Sequence, residues 1–124
     1  MIKWLSLCMG SVVGGVSRYV LAGLVYKFFG SNFPYGTLAV NLSGCFLIGF
    51  LNALAEVKFL LNPNARILLM VGFCGAFTTF STLILETVNL LKDGELLKAI
   101  LNGMGSFVFG LFLFYLGQIA AELV

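Results

Sequence analysis

Four apolar runs, each long enough to cross a bilayer, account for nearly all of this 124-residue chain. They cover about 4–26, 35–57, 66–91 and 96–121. A helix rises 1.5 Å per residue, so ~20 residues span a ~30 Å hydrocarbon core. Backbone in lipid must satisfy its own hydrogen bonds, and runs of this length do so as helices. The sequence therefore predicts an all-α integral membrane protein, a single four-helix domain over 1–124. The breaks between runs carry turn residues: Gly30, Ser31, Asn32 and Pro34; then Asn62, Pro63 and Asn64; then Lys92-Asp93-Gly94-Glu95. The first run is too long for a signal peptide and no small-residue cleavage site ends a short core.

With 60% hydrophobic and 10% charged residues, nothing remains for a soluble domain. The chain has no histidine, which removes Ser-His-Asp and Cys-His chemistry and the commonest metal ligand. Neither an enzyme activity nor a nucleic-acid partner is expected. Cys8, Cys45 and Cys74 lie in separate spans with no CxxC pair and read as small buried hydrophobes.

Orientation follows Lys and Arg in short loops. Lys3, Lys58 and Arg66 fall on one side, and Lys27, Lys92 and Lys98 on the other, leaving Arg18 within the membrane. That balance gives the insertion machinery little to read. Either both orientations are made, and opposite copies pair about a two-fold axis in the membrane plane, or small asymmetries fix one.

Within the spans, a few polar residues stand out. Arg18 follows Gly14-Gly15-Val16-Ser17, and a guanidinium at mid-helix costs roughly 2.5–3.5 kcal/mol on insertion scales. It reads either as an anchor bonding helix ends or as an attractor of anions. Gly10 and Gly14 place small residues on one face and argue close packing. Thr37 and Asn41, four apart, share a face of the second span; Asn41 can serve as interhelical glue or as a donor to a ligand. Residues 72–86, GFCGAFTTFSTLILE, put glycines, hydroxyls and Glu86 into the third span. Gly72, Gly75 and the Thr78-Thr79 pair favour a helix interruption, and the alternative is a kinked, well-packed helix. An unwound turn would free carbonyls for a hard cation such as Na⁺. Phe80 sits inside the polar run, and its ring edge carries positive partial charge that can face a small anion. The fourth span adds Asn102 and Ser106 on one face, with Gly110 in register.

Taken together, GGVSRY at 14–19, GTLAVNLSG at 36–44 and GFCGAFTTFST at 72–82 with Glu86 beyond resemble the CrcB or Fluc family of fluoride channels. The resemblance implies an antiparallel, dual-topology homodimer of four-helix subunits, with the third helix broken near its middle. It also implies two fluoride pathways, a structural Na⁺ at the dimer interface and a prokaryotic inner membrane. Backbone carbonyls of Gly75 and Thr78 would bind the Na⁺. Asn41 would donate to fluoride, Phe80 would be the first of two ring-edge phenylalanines, and the track would continue through Ser81 and Thr82. Thr37 and Glu86 would lie near the ion path, Ser106 would match a fourth-span track residue, and Arg18 would stand near the vestibule. The second phenylalanine of the family's FSTF pattern is Leu83 here, which keeps bulk and loses the ring edge. Fluoride then passes with fewer aromatic contacts, or the chain assembles with a paralogous subunit. Two rivals remain: a non-conducting partner subunit and a small multidrug exporter. The exporter is disfavoured, because such proteins resemble one another in a first-span glutamate and this first span carries Arg18 instead.

Overall fold

The computed structural model describes residues 1–124 and contains four long helical columns. Helix α1 runs Ile2–Phe29 and α2 runs Tyr35–Glu56. The third column, Pro63–Lys92, is composite: α3 (Pro63–Arg66), a π-helical stretch (Ile67–Cys74), α4 (Gly75–Phe77) and α5 (Phe80–Lys92). Helix α6, Leu96–Glu122, completes the bundle. All four columns are long and apolar enough to cross a membrane, and the third is bent.

Local chemistry sets the ends. Gly30, at φ 82°, closes α1 with its N–H on the Tyr26 carbonyl, a backbone conformation that glycine adopts without strain. Asn62 caps the third column by accepting from Ala65 N–H at 2.8 Å, and Pro63 occupies the first helical position, where no donor is lost. Arg66 then pins the preceding loop. Its guanidinium donates to the Ala55 carbonyl at 2.7 Å and the Leu61 carbonyl at 3.2 Å, and pairs with Glu56. The first bond satisfies a carbonyl in the last turn of α2 that has no helical donor, and the second a carbonyl of the loop that follows.

Only 20 of the 124 residues are buried, so helix-to-helix packing within one chain covers little of the apolar surface. Val12, Val16, Phe109 and Phe112 are more than half exposed, as side chains facing lipid tails are. Where the helices do meet, small residues let backbones approach. A Cβ on Gly10 or Gly14 would lie 2.1 Å or 2.3 Å from the Leu68 or Phe73 carbonyl oxygen, which is why α1 lies directly against the π-helical stretch. Gly49 and Gly117 do the same for α2 and α6, each facing the other helix's backbone. The predicted closeness of Gly10 and Gly14 to a neighbour is therefore present. The π-helical stretch is a feature that the apolar sequence ILLMVGFC does not announce.

Candidate functional site

The third column breaks at Thr78 and Thr79, whose dihedrals (−93°, 160° and −150°, 117°) are extended. Neither glycine expected to favour an interruption sits at it. Gly75 is helical at −62°, −37°, and Gly72 packs tightly on α1. The threonines break the helix by supplying alternative bonds. Thr78 Oγ1 bonds back to the Cys74 carbonyl at 2.9 Å, and Thr79 Oγ1 accepts from Thr82 N–H at 3.3 Å, capping α5.

Asn41 on α2 fastens the break. Its Oδ1 accepts from Thr79 N–H at 2.7 Å, and its Nδ2 donates to the Thr79 carbonyl at 3.0 Å. In an uninterrupted helix the Thr79 N–H would bond the Gly75 carbonyl, and the Thr82 N–H would bond the Thr78 carbonyl. Both donors are diverted, the first to Asn41 and the second to Thr79 Oγ1. Gly75 and Thr78 are therefore left with carbonyls that have lost their helical donors, and Gly75 is exposed. Hard oxygen donors of this kind fit a cation such as Na⁺. One Nδ2 hydrogen of Asn41 also remains beyond the bond to Thr79.

A groove of about 540 Å³ opens beside the break, between α2, the third column and α6. Asn41, Thr79, Phe80, Thr87, Ser106 and Phe107 line it with Leu83, and no charged side chain does. Behind the groove wall, the fully buried Asn102 donates from Nδ2 to Thr87 Oγ1 at 3.0 Å, and Thr87 Oγ1 donates to the Leu83 carbonyl at 2.7 Å. Asn102 Oδ1 and Ser106 Oγ are buried with no partner.

A second cavity, about 260 Å³, lies toward the other end of α5 and is lined by Tyr26, Asn32, Glu86, Asn89 and Asp93 among others. Here Glu86 Oε1 accepts from Thr37 Oγ1 at 2.7 Å and from Tyr26 OH at 3.4 Å, while Glu86 Oε2 is buried and unbonded. The two cavities use different faces of α5.

The expected path residues thus divide. Asn41, Phe80 and Ser106 meet at the groove; Thr37 and Glu86 meet at the second cavity. Thr82 is joined to Thr79 at 3.1 Å, on the side of α5 that Glu86 shares. Ser81 is exposed and lines neither cavity, and Arg18, part-exposed midway along α1, bonds no group of its own chain. Four contributors escaped the sequence reading of the site: Thr79, Tyr26, Thr87 and Phe107. For Thr79 the signal was present, since a Thr-Thr pair was recognised and only the partner of Asn41 was not. The face shared by Asn102 and Ser106 was also visible, but the Asn102 to Thr87 bond was not.

The sequence model of the family described as "CrcB-like protein, Camphor Resistance (CrcB)" matches residues 5–118. Among similar proteins, one of Chlorobaculum tepidum named "Fluoride-specific ion channel FluC" is 50% identical over 114 residues, covering 92% of this chain and 90% of its own. Proteins of the same name from Chlorobium phaeobacteroides (48% identical; 92% and 88% covered) and Aquifex aeolicus (43%; 94% and 94%) are likewise similar along nearly their whole length. A match of this extent, in a chain with four helices long and apolar enough to cross a membrane, means that the chain belongs to the CrcB-like family of multi-pass membrane proteins.

Proposed function

We propose that this chain forms a fluoride-selective channel through which fluoride leaves the cytoplasm passively, down its electrochemical gradient. The observation that carries the reading is the groove beside the break, which offers neutral donors and aromatic rings and no charged side chain. Fluoride is small and strongly hydrated, so stripping its water requires replacement donors. A lysine or arginine there would hold the ion too tightly for it to leave, whereas amide, hydroxyl and ring-edge contacts let it pass. Asn41 contributes its remaining N–H, Phe80 its ring and Ser106 its hydroxyl. Thr37 and Glu86 form the polar end of the route, with Ser81, Thr82 and Arg18 as further path residues. The names of the relatives support fluoride as the ion.

A second copy completes the site. The groove is open between the exposed Phe80 and Phe107, and its wall carries polar groups of Asn41, Thr79 and Ser106 that lipid tails cannot satisfy, so its open side calls for another subunit. The balanced Lys and Arg placement suits an antiparallel, dual-topology homodimer in a prokaryotic inner membrane, and a paralogous subunit is the alternative mate. In such a pair, the carbonyls of Gly75 and Thr78 from both chains would hold a Na⁺ at the interface. The cation would neutralise the negative pole at the helix break and lock the two subunits in register.

Purified chain in proteoliposomes tests the function. Under a fluoride gradient with the membrane potential clamped to zero, an ion-selective electrode is expected to record rapid fluoride release and little chloride release. Equal release of the two halides, or none of either, contradicts the proposal; release only after addition of a paralogue identifies the chain as a partner subunit.

A further inference from the structure

Four phenylalanines occupy the middle of α6, at 107, 109, 112 and 114, and only Phe107 lines the groove. Its neighbour Ser106 is 9% exposed, and its hydroxyl has no partner. Three hydroxyls of this chain bond back to a carbonyl of the preceding turn, Ser43 to Ala39, Thr78 to Cys74 and Thr87 to Leu83, and Thr37 donates across to Glu86. Ser106 makes no such bond, so its O–H is left to donate elsewhere. At membrane depth a buried hydroxyl without a partner marks a place where something else belongs.

On the opposing helix, the groove wall at Leu83 is aliphatic. Leucine fills space there and presents no ring edge. Phe80 and Phe107 are the two phenylalanines that line the groove, and neither takes part in an aromatic pair within the chain. We propose that Phe107 adds a ring-edge contact beside the Ser106 hydroxyl already assigned to the path, so that the two form a small-anion subsite on α6. Phe107 thereby supplies from α6 the aromatic contact that Leu83 does not supply from α5. The subsite rests on the fluoride reading of the groove and adds a second ring-bearing stop to it. Its ligand is a small hard anion, because a hydroxyl and a ring edge replace hydration only at short range.

Fluoride efflux from proteoliposomes, with dimer content checked by gel filtration, tests the subsite on five variants. Phe107→Leu, which keeps bulk and removes the ring, and Ser106→Ala are each expected to slow fluoride release about tenfold, a modest loss of anion stabilisation. Phe109→Leu, two residues further along α6 and outside the groove, is expected to match wild type. Leu83→Phe placed in the Phe107→Leu background is expected to restore release, a rescue that a purely structural role for Phe107 would not give. Replacing Phe107 by pentafluorophenylalanine, which keeps the ring's shape and reverses its edge charge, covers the case in which Phe107→Leu fails to assemble, and it too is expected to slow release. A wild-type chain that conducts fluoride while Phe107→Leu behaves like Phe109→Leu overturns the subsite alone. A wild-type chain that releases no fluoride overturns the channel reading and the subsite together.

Discussion

Replacing Asn41 by leucine removes both side-chain bonds that hold the third column open. The wild-type amide meets Thr79 at its N–H and at its carbonyl, at 2.7 Å and 3.0 Å. Leaving a buried polar group unmet costs about 1–3 kcal/mol, so two such groups place the loss at about 2–6 kcal/mol. Leucine keeps the branched heavy-atom skeleton of asparagine and is the larger side chain, so none of the cost comes from a cavity. The chain has one way to lower it: Thr79 N–H can return to the Gly75 carbonyl and close the helix. That closure recovers about one bond, drawing the cost toward the low end, and withdraws Gly75 from any cation. Either way fluoride release is expected to fall with stability. Asn41→Asp separates the two bonds, since a carboxylate still accepts from Thr79 N–H and cannot donate to the Thr79 carbonyl. It should be intermediate in stability and should abolish release, because a fixed negative charge opposes the anion. Denaturant unfolding in detergent, followed by circular dichroism, measures the first effect, with Asn52→Leu on the same helix as control. If Asn41→Leu comes within about 0.5 kcal/mol of that control, the size of an ordinary surface substitution, the clamp does not hold the break.

Other expectations concern the remaining polar groups. Thr87→Val leaves the fully buried Asn102 amide without its acceptor and should cost about 1–3 kcal/mol, most of it recovered when Asn102→Leu is added; additive losses in the double-mutant cycle would show that the pair does not interact. Thr37→Val removes the 2.7 Å donor to Glu86 and should slow fluoride release, while Thr37→Ser keeps it; equal slowing in both points to packing instead of the hydroxyl. Exchanging Na⁺ for N-methylglucamine should lower both the melting temperature and fluoride release, since the freed Gly75 and Thr78 carbonyls would lose their cation. A melting temperature independent of Na⁺ speaks against the cation site.

Much of the fold is legible because membrane helices are written in run length. The turn residues at 30–34, 62–64 and 92–95 bracket columns whose structural ends fall within about three residues of the expected ones. The interruption in the third span was also visible, but for a reason only half right. Gly72 and Gly75 stay helical, and the break is made by Thr78 and Thr79, whose hydroxyls compete for backbone groups. The partner of Asn41 was not legible, since helical spacing tells which residues of one helix share a face and nothing about which neighbour that face meets. The same limit explains why Phe80, Ser81, Thr82 and Glu86, adjacent in sequence, do not form one wall. Successive residues turn about 100°, which sends Phe80 to the groove, Ser81 outward, and Thr82 and Glu86 toward the side where Thr37 waits. The π-helical stretch has no signature in ILLMVGFC; it is the segment against which Gly10 and Gly14 of α1 pack.

The most direct test of fluoride-selective, passive conduction is the reversal potential of purified chain in a planar bilayer carrying a fluoride gradient against an opposite chloride gradient. A current that reverses at the fluoride equilibrium potential, with no dependence on a pH gradient, is the predicted result. Reversal midway between the two halide potentials, or a shift that follows the proton gradient, would contradict it.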